Sequence, residues 1–188
     1  MINISEKTVN SKIILGIDPG TTIMGYGIIK TEKSEMSILQ YGVIHLSKYP
    51  QHEIKLKKIH EKMIQIIHEF APDEVALEAP FYGKNIQSML KLGRAQGVAM
   101  AAALSCEIPI MEYAPKKVKQ SVTGNGNASK EQVAKMLQTL LKFDHTDKLF
   151  DATDALAVAV CHHFQHKTPG QKFKSWQSFI KENPGRIK

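Results

Sequence analysis

A chain of 188 residues with 43% hydrophobic and 23% charged side chains is long enough for one well-buried core, hardly long enough for two ordinary domains, and unlike a disordered or membrane-embedded chain in its balance. Its 25 Lys and Arg against 18 Asp and Glu leave +7, which favours an anionic partner, nucleic acid or a membrane surface, without choosing between them. Two cysteines, Cys106 and Cys161, exclude a disulfide framework; no apolar run approaches the ~20 residues a bilayer requires, and the polar start M-I-N-I-S-E-K-T lacks signal-peptide order, so a cytoplasmic location with no membrane partner is expected.

The predicted elements begin after Lys12, where Ile13 to Ile17 reads as a short buried strand that ends on Asp18. Pro19-Gly20 forces a turn, Met24 to Lys30 alternates apolar residues with glycine, and Met36 to Leu46 is strand-prone, which together predict an antiparallel meander. From His52 to Phe70, the residues Ile54, Leu56, Ile59, Met63, Ile66, Ile67 and Phe70 recur at helical spacing, with lysines on the other face, until Pro72. Glu74 to Leu77 is a brief strand that delivers Glu78, and Pro80 closes it.

Ile86 to Ser105 reads as a long helix rich in small residues, with Gly93 and Gly97 four apart; close approach to the sheet or to a second copy of the chain are both open. A strand over Ile108 to Tyr113 precedes a short basic helix from Lys116 to Val122, with Pro115 near its start. Ser129 and Gln132 form a capping-box pattern for a helix through Leu141, whose core face is expected at Val133, Met136, Leu137 and Leu140. Asp151 to Phe164 is the last helix, with Leu156, Ala157, Val160 and Phe164 as its buried stripe. Residues 1–12 read as an N-terminal extension, 13–165 as one domain, and 166–188, with Trp176 and Phe179, as a basic tail.

Two acids at strand ends, Asp18 and Glu78, stand where ligands bind in open α/β sheets. Asp151 and Asp154, three apart on a helix, share one face, and four hard oxygen donors without interleaved His or Cys suit Mg²⁺ or Mn²⁺ better than zinc. Each acid has a plainer reading as well: Asp18 as a turn former, Glu78 as a strand-end charge, Asp151 as a helix cap and Asp154 as a favourable first-turn charge. Their coincidence in one chain favours a shared metal site. Cys161, His162, His163 and His166 make a poor zinc site, because vicinal histidines point to different helix faces.

The runs I-L-G-I-D-P-G-T-T, V-A-L-E-A-P-F, K-L-G-R-A-Q-G-V-A, V-K-Q-S-V-T-G and D-A-T-D-A-L-A-V-A, in this order over about residues 13–165, closely resemble the RuvC Holliday-junction resolvases. The resemblance implies an α/β chain of RNase H-like fold, with a mixed sheet whose first three strands are antiparallel. It also implies a homodimer, a magnesium-dependent endonuclease and paired symmetric nicking of four-way junction DNA in recombination and repair, leaving 5′-phosphate and 3′-hydroxyl ends.

Carried over by position, Asp18, Glu78, Asp151 and Asp154 match the family's catalytic, metal-holding acids, with Mg²⁺ expected at two per site and Mn²⁺ as a substitute. In this assignment Asp18 bridges the two metals. Lys119 and Lys130 match lysines near the scissile phosphate and the DNA path, and Phe81 matches an aromatic that stacks or wedges at the junction centre, beside Tyr82, Lys84 and Asn85. The branch-migration proteins RuvA and RuvB are the partners the family suggests.

Three rivals stand beside this reading. The opening run also resembles the first phosphate loop of actin-like and Hsp70-like ATPases, which need a second such loop and a longer chain. A junction-binding protein without catalysis would explain the charge but not four converging acids. A nuclease of the same fold acting on RNA–DNA hybrids or free ends is separated by substrate competition.

Overall fold

The computed structural model describes residues 11–33, 35–80, 85–143 and 150–167. In it β1 (Ser11–Asp18), β2 (Ile23–Glu32) and β3 (Glu35–His45) form the expected antiparallel meander, and β4 (Glu74–Glu78) and β5 (Ile110–Tyr113) join β1 in parallel. The sheet order is β3-β2-β1-β4-β5. Because β1, β4 and β5 run the same way, their C-terminal ends, Asp18, Glu78 and Tyr113, share one edge.

Side chains alternate between the two faces of a strand. Leu15 and Ile17, Met24, Tyr26 and Ile28, and Val75 and Leu77 pack on one face against α1 (His52–Phe70) and α2 (Ile86–Ser105). Ile14, Ile29 and Ala76 pack on the other face, against α3 (Pro115–Thr123), α4 (Lys130–Leu141) and α5 (Phe150–Lys167). The α/β fold with helices on both faces of a mixed sheet is therefore as predicted. The first strand begins two residues before Ile13, at Ser11, and the last begins at Ile110 rather than Ile108.

Two expected core faces differ from the observed ones. On α4 the buried residues are Val133, Ala134, Leu137 and Leu141, whereas Met136 is 37% exposed and Leu140 only partly buried. The reason is that α4 packs on α5 and α3, so its inward stripe follows that helix contact and takes in Ala134. On α5 the expected stripe includes Phe164, which is only partly buried, while Ala152, Thr153 and every residue from Ala155 to His163 are buried. The helix lies on β1 and β2 and is covered by α3 and α4, so it is enclosed on all sides.

Gly93 and Gly97 do not pack on the sheet: a side chain at either would meet nothing within 4 Å. The sheet-facing side of α2 is instead Ala95, Gln96, Ala99, Ala102 and Ala103.

Candidate active site

Alternation along β1 puts Ile14, Gly16 and Asp18 on the face that α5 covers. The floor beneath that helix is made of glycine. A Cβ at Gly16 would lie 2.2 Å from the Ala155 carbonyl oxygen, and one at Gly25 would lie 1.9 Å from that of Asp151. Gly27 similarly gives space to Leu156. Backbone thus rests almost on backbone, and since Asp18 pairs with Gly25 across the β1–β2 ladder, the first turn of α5 is delivered beside Asp18.

Three carboxylates meet as a result. Asp18, Asp151 and Asp154 each offer an oxygen, and these oxygens all lie within 4.8 Å of one another. Glu78 ends the neighbouring parallel strand, whose Leu77 is in register with Ile17, and it lines two clefts together with Asp18. The first of these, about 130 Å³, is also lined by Lys119, Lys130 and Asp154.

Lys130 is the first residue of α4, which Ser129 caps through a reciprocal capping box with Gln132, as expected from the sequence. Its Nζ donates to Asp154 Oδ2 at 2.5 Å. Lys119 projects from α3 into the same cleft.

Crowding leaves its mark on the protonation of the acids. Burial first, then the charges of Glu78, Asp154 and Asp151, raises the pKa of Asp18 to about 8 against the pull of Lys130. Burial and Asp154 raise Glu78 to about 7, with Lys130 and Lys119 opposing. For Lys130, burial pulls the pKa down but is outweighed by the hydrogen bond to Asp154 and the charges of Asp154, Asp18 and Asp151, so its cationic form is favoured.

Such a cluster lacks positive charge. Two ammonium groups, Lys130 and Lys119, stand against four acids, the donors are all hard oxygens, and burial together with mutual repulsion raises the pKa of Asp18 and Glu78, so the set fits a divalent metal site. Among the described residues no other group of three or more potential metal ligands comes together.

The other end of α5 is anchored by a polar chain that starts at the buried His162. His162 Nε2 lies 2.9 Å from Glu74 Oε2, its Nδ1 lies 2.8 Å from Tyr113 Oη, and Glu74 Oε1 accepts from Lys12 Nζ at 2.7 Å. Cys161 instead turns to Ser121 at 3.2 Å, so neighbouring residues of the Cys-His-His run serve different partners.

Sequence reasoning missed Ser88, Met89 and Leu92, which wall a cleft of about 450 Å³ shared with Asp18, the turn after it and Asp151. Only their position one to two turns into α2, after the Glu78 strand, pointed to them. Asn85 is the cap of that helix and accepts from the Ser88 backbone N–H at 3.1 Å. The residues Phe81, Tyr82 and Lys84, with the roles expected of them, lie outside the described residues, as do Trp176 and Phe179 of the tail.

Comparison with known proteins agrees with this geometry. Residues 14–162 match the family described as "Crossover junction endodeoxyribonuclease RuvC". Proteins of that name from Cytophaga hutchinsonii and Bacteroides fragilis are similar over nearly their whole lengths. The first is 58% identical, covering 100% of this chain and 94% of its own, and the second is 56% identical, covering 96% and 98%. Among solved structures, Thermus thermophilus RuvC in complex with a Holliday junction substrate superposes with a TM-score of 0.78 at 30% identity, over 83% of this chain and 95% of that one. The yeast mitochondrial Holliday junction resolvase Ydc2, at 16% identity and a TM-score of 0.58, shares the fold. With the family matched over residues 14–162 and a relative 58% identical over the full chain, this chain belongs to the crossover junction endodeoxyribonuclease RuvC family.

Proposed function

We propose that this protein resolves four-way DNA junctions by paired, symmetric, metal-dependent nicking, and that Asp18, Glu78, Asp151 and Asp154 hold its Mg²⁺ ions, two per site, with Mn²⁺ able to replace them. The observation that carries the reading is the meeting of three carboxylates from β1 and α5 within 4.8 Å, with Glu78 beside them, in a chain of this family.

When bound, such ions supply Lewis-acid stabilisation of the attacking water and of the leaving 3′ oxygen. The chain's own residues do the rest. Asp18, at the end of the central strand β1, would hold metal together with Glu78 on one side of it and Asp151 and Asp154 of α5 on the other. Lys130, already aimed at the cluster, and Lys119 across the same cleft meet the negative charge of the scissile phosphate, and Lys119 stabilises the charge that grows on it in the transition state. The products are a 5′-phosphate and a 3′-hydroxyl.

A junction has two equivalent strands to cut, so the reading calls for a two-fold dimer. An exposed stripe of α2 supports it: Ile86, Leu90, Gly93, Gly97, Ala101 and Leu104 follow one another at helical spacing, with Ile86, Leu90 and Leu104 exposed by 73%, 52% and 56%. Phe81 at the junction centre, RuvA and RuvB as partners, and a cytoplasmic site of action come with the same reading.

The test is a synthetic mobile four-way junction incubated with and without Mg²⁺, with cuts mapped at nucleotide resolution. Wild type is expected to make paired symmetric nicks that need metal. Asp18→Asn is expected to cut slower by on the order of 10³-fold while still binding the junction. Tight binding without cleavage by the wild type, in either Mg²⁺ or Mn²⁺, would leave a junction-binding protein in place of an enzyme.

A further inference from the structure

On the sheet face opposite the carboxylates, a groove of about 360 Å³ runs between the end of β3 and α1, with His45, Lys48, Tyr49, Lys58, Glu61 and Lys62 among its lining. Lys55, Lys58 and Lys62 stand at i, i+3 and i+7 on α1, one stripe of about 10 Å at 1.5 Å per residue. The stripe starts at the active site, since Lys55 Nζ donates to the carbonyl of Thr21 at 3.1 Å, in the turn that follows Asp18.

Aromatic rings hold two of the ammonium groups in place. Lys48 Nζ lies 5.3 Å from the centre of the Tyr49 ring, and Lys62 Nζ lies 5.7 Å from that of Tyr26. Tyr26 reaches this position because it crosses β3 at Gly42, where a Cβ would lie 2.8 Å from its hydroxyl. Lys58 is paired with Glu61 at 2.7 Å, but among the described residues neither Lys48 nor Lys62 has a carboxylate within 4.0 Å. Their charge is oriented by neutral groups and remains available to an anion.

We propose that this groove is a second phosphate-binding track, which takes the sugar-phosphate backbone of a DNA arm as it leaves the active site. Charge complementarity and continuity with the Asp18 loop carry the proposal, which rests on the resolvase reading of that site. A stripe of about 10 Å covers roughly three phosphates of one strand at 3.4 Å of rise each. Contacts of this kind carry no base information and set affinity and arm direction.

The experiment measures junction affinity as a function of salt in EDTA, using the full chain with Lys48→Gln/Lys62→Gln. Its control is Lys33→Gln/Lys142→Gln, which removes the same charge at two positions that do not line the groove. Circular dichroism melts confirm that both variants fold. The groove variant is expected to bind about tenfold more weakly at 100 mM salt, with a log–log salt slope shallower by about 2, while the control changes little. Cleavage by the groove variant at saturating protein should stay within about twofold of wild type, since the lost contacts are made equally in ground and transition states. An unchanged slope, or an equal loss in the control, overturns the track. A wild type that fails to cut the junction overturns the resolvase reading instead, whatever the variants bind.

Discussion

Asp18 illustrates what a site of this kind asks of a single residue. It is a carboxylic acid held among three others in a poorly solvated cleft, with a pKa near 8, and Glu78 beside it titrates near 7. Between the unfolded values of 3.8 and 4.5 and these raised ones, the folded state keeps protons that the unfolded state has lost. Without metal, therefore, their contribution is undiminished below about pH 4 and falls as pH rises towards 8. Divalent metal held as proposed would reverse the penalty, because it would bind the ionised acids of the folded state alone. At one hundred times its Kd it adds about 2.7 kcal/mol, or roughly 5–10 °C in Tm for a chain of this size. Melting curves from pH 5 to 8, in EDTA and in Mg²⁺, check both statements. A metal-free Tm with no downward component over that range, or one in which Asp18→Asn leaves the slope unaltered, would contradict the assignment.

At the scale of elements, the decisive contact is α5 on the glycine floor of β1 and β2. The helix is stacked so closely that its first turn meets Asp18, and its other end is tied to β4 and β5 through His162. Gly25→Ala puts a methyl against the Asp151 carbonyl and is expected to cost about 1–3 kcal/mol through overpacking. It should also weaken metal binding, because the helix moves with its carboxylates. Leu141→Ala, a cavity in α4, is expected to cost about 2–5 kcal/mol with metal affinity retained. Mn²⁺ titration of the two variants under conditions where both are folded separates them; equal affinities would mean that the glycine floor serves stability alone.

At the scale of the whole molecule, the +7 charge and the exposed α2 stripe are the two features on which the proposed junction reading depends. In that reading the charge would draw in the junction, and a second copy docked on α2 would present two sites to its two equivalent strands. Leu90→Lys/Leu104→Lys is expected to turn a dimer into a monomer in sedimentation velocity. Its junction products should then change from paired nicks to single, uncoordinated ones. A wild type that sediments as a monomer at working concentration would remove the dimer from the proposal.

Much of this was legible in the amino-acid order. The ends of α1 and α2 were read from helical spacing bounded by Pro72 and by polar residues, and the Ser129–Gln132 box marked the start of α4, because these signals are local hydrogen-bonding and backbone constraints. The five matched runs marked the family and all four acids. Tertiary structure decided what depends on partners distant in sequence. It enclosed α5 on every side, turned Ala134 inward and Met136 outward on α4, and left Gly93 and Gly97 facing open space. It also joined Lys130 to Asp154 across 24 residues and set Lys55 of α1 beside the turn after Asp18. Periodicity tells which side of an element is apolar; which neighbour covers it, and what charge it meets there, follows from the packing of the whole chain.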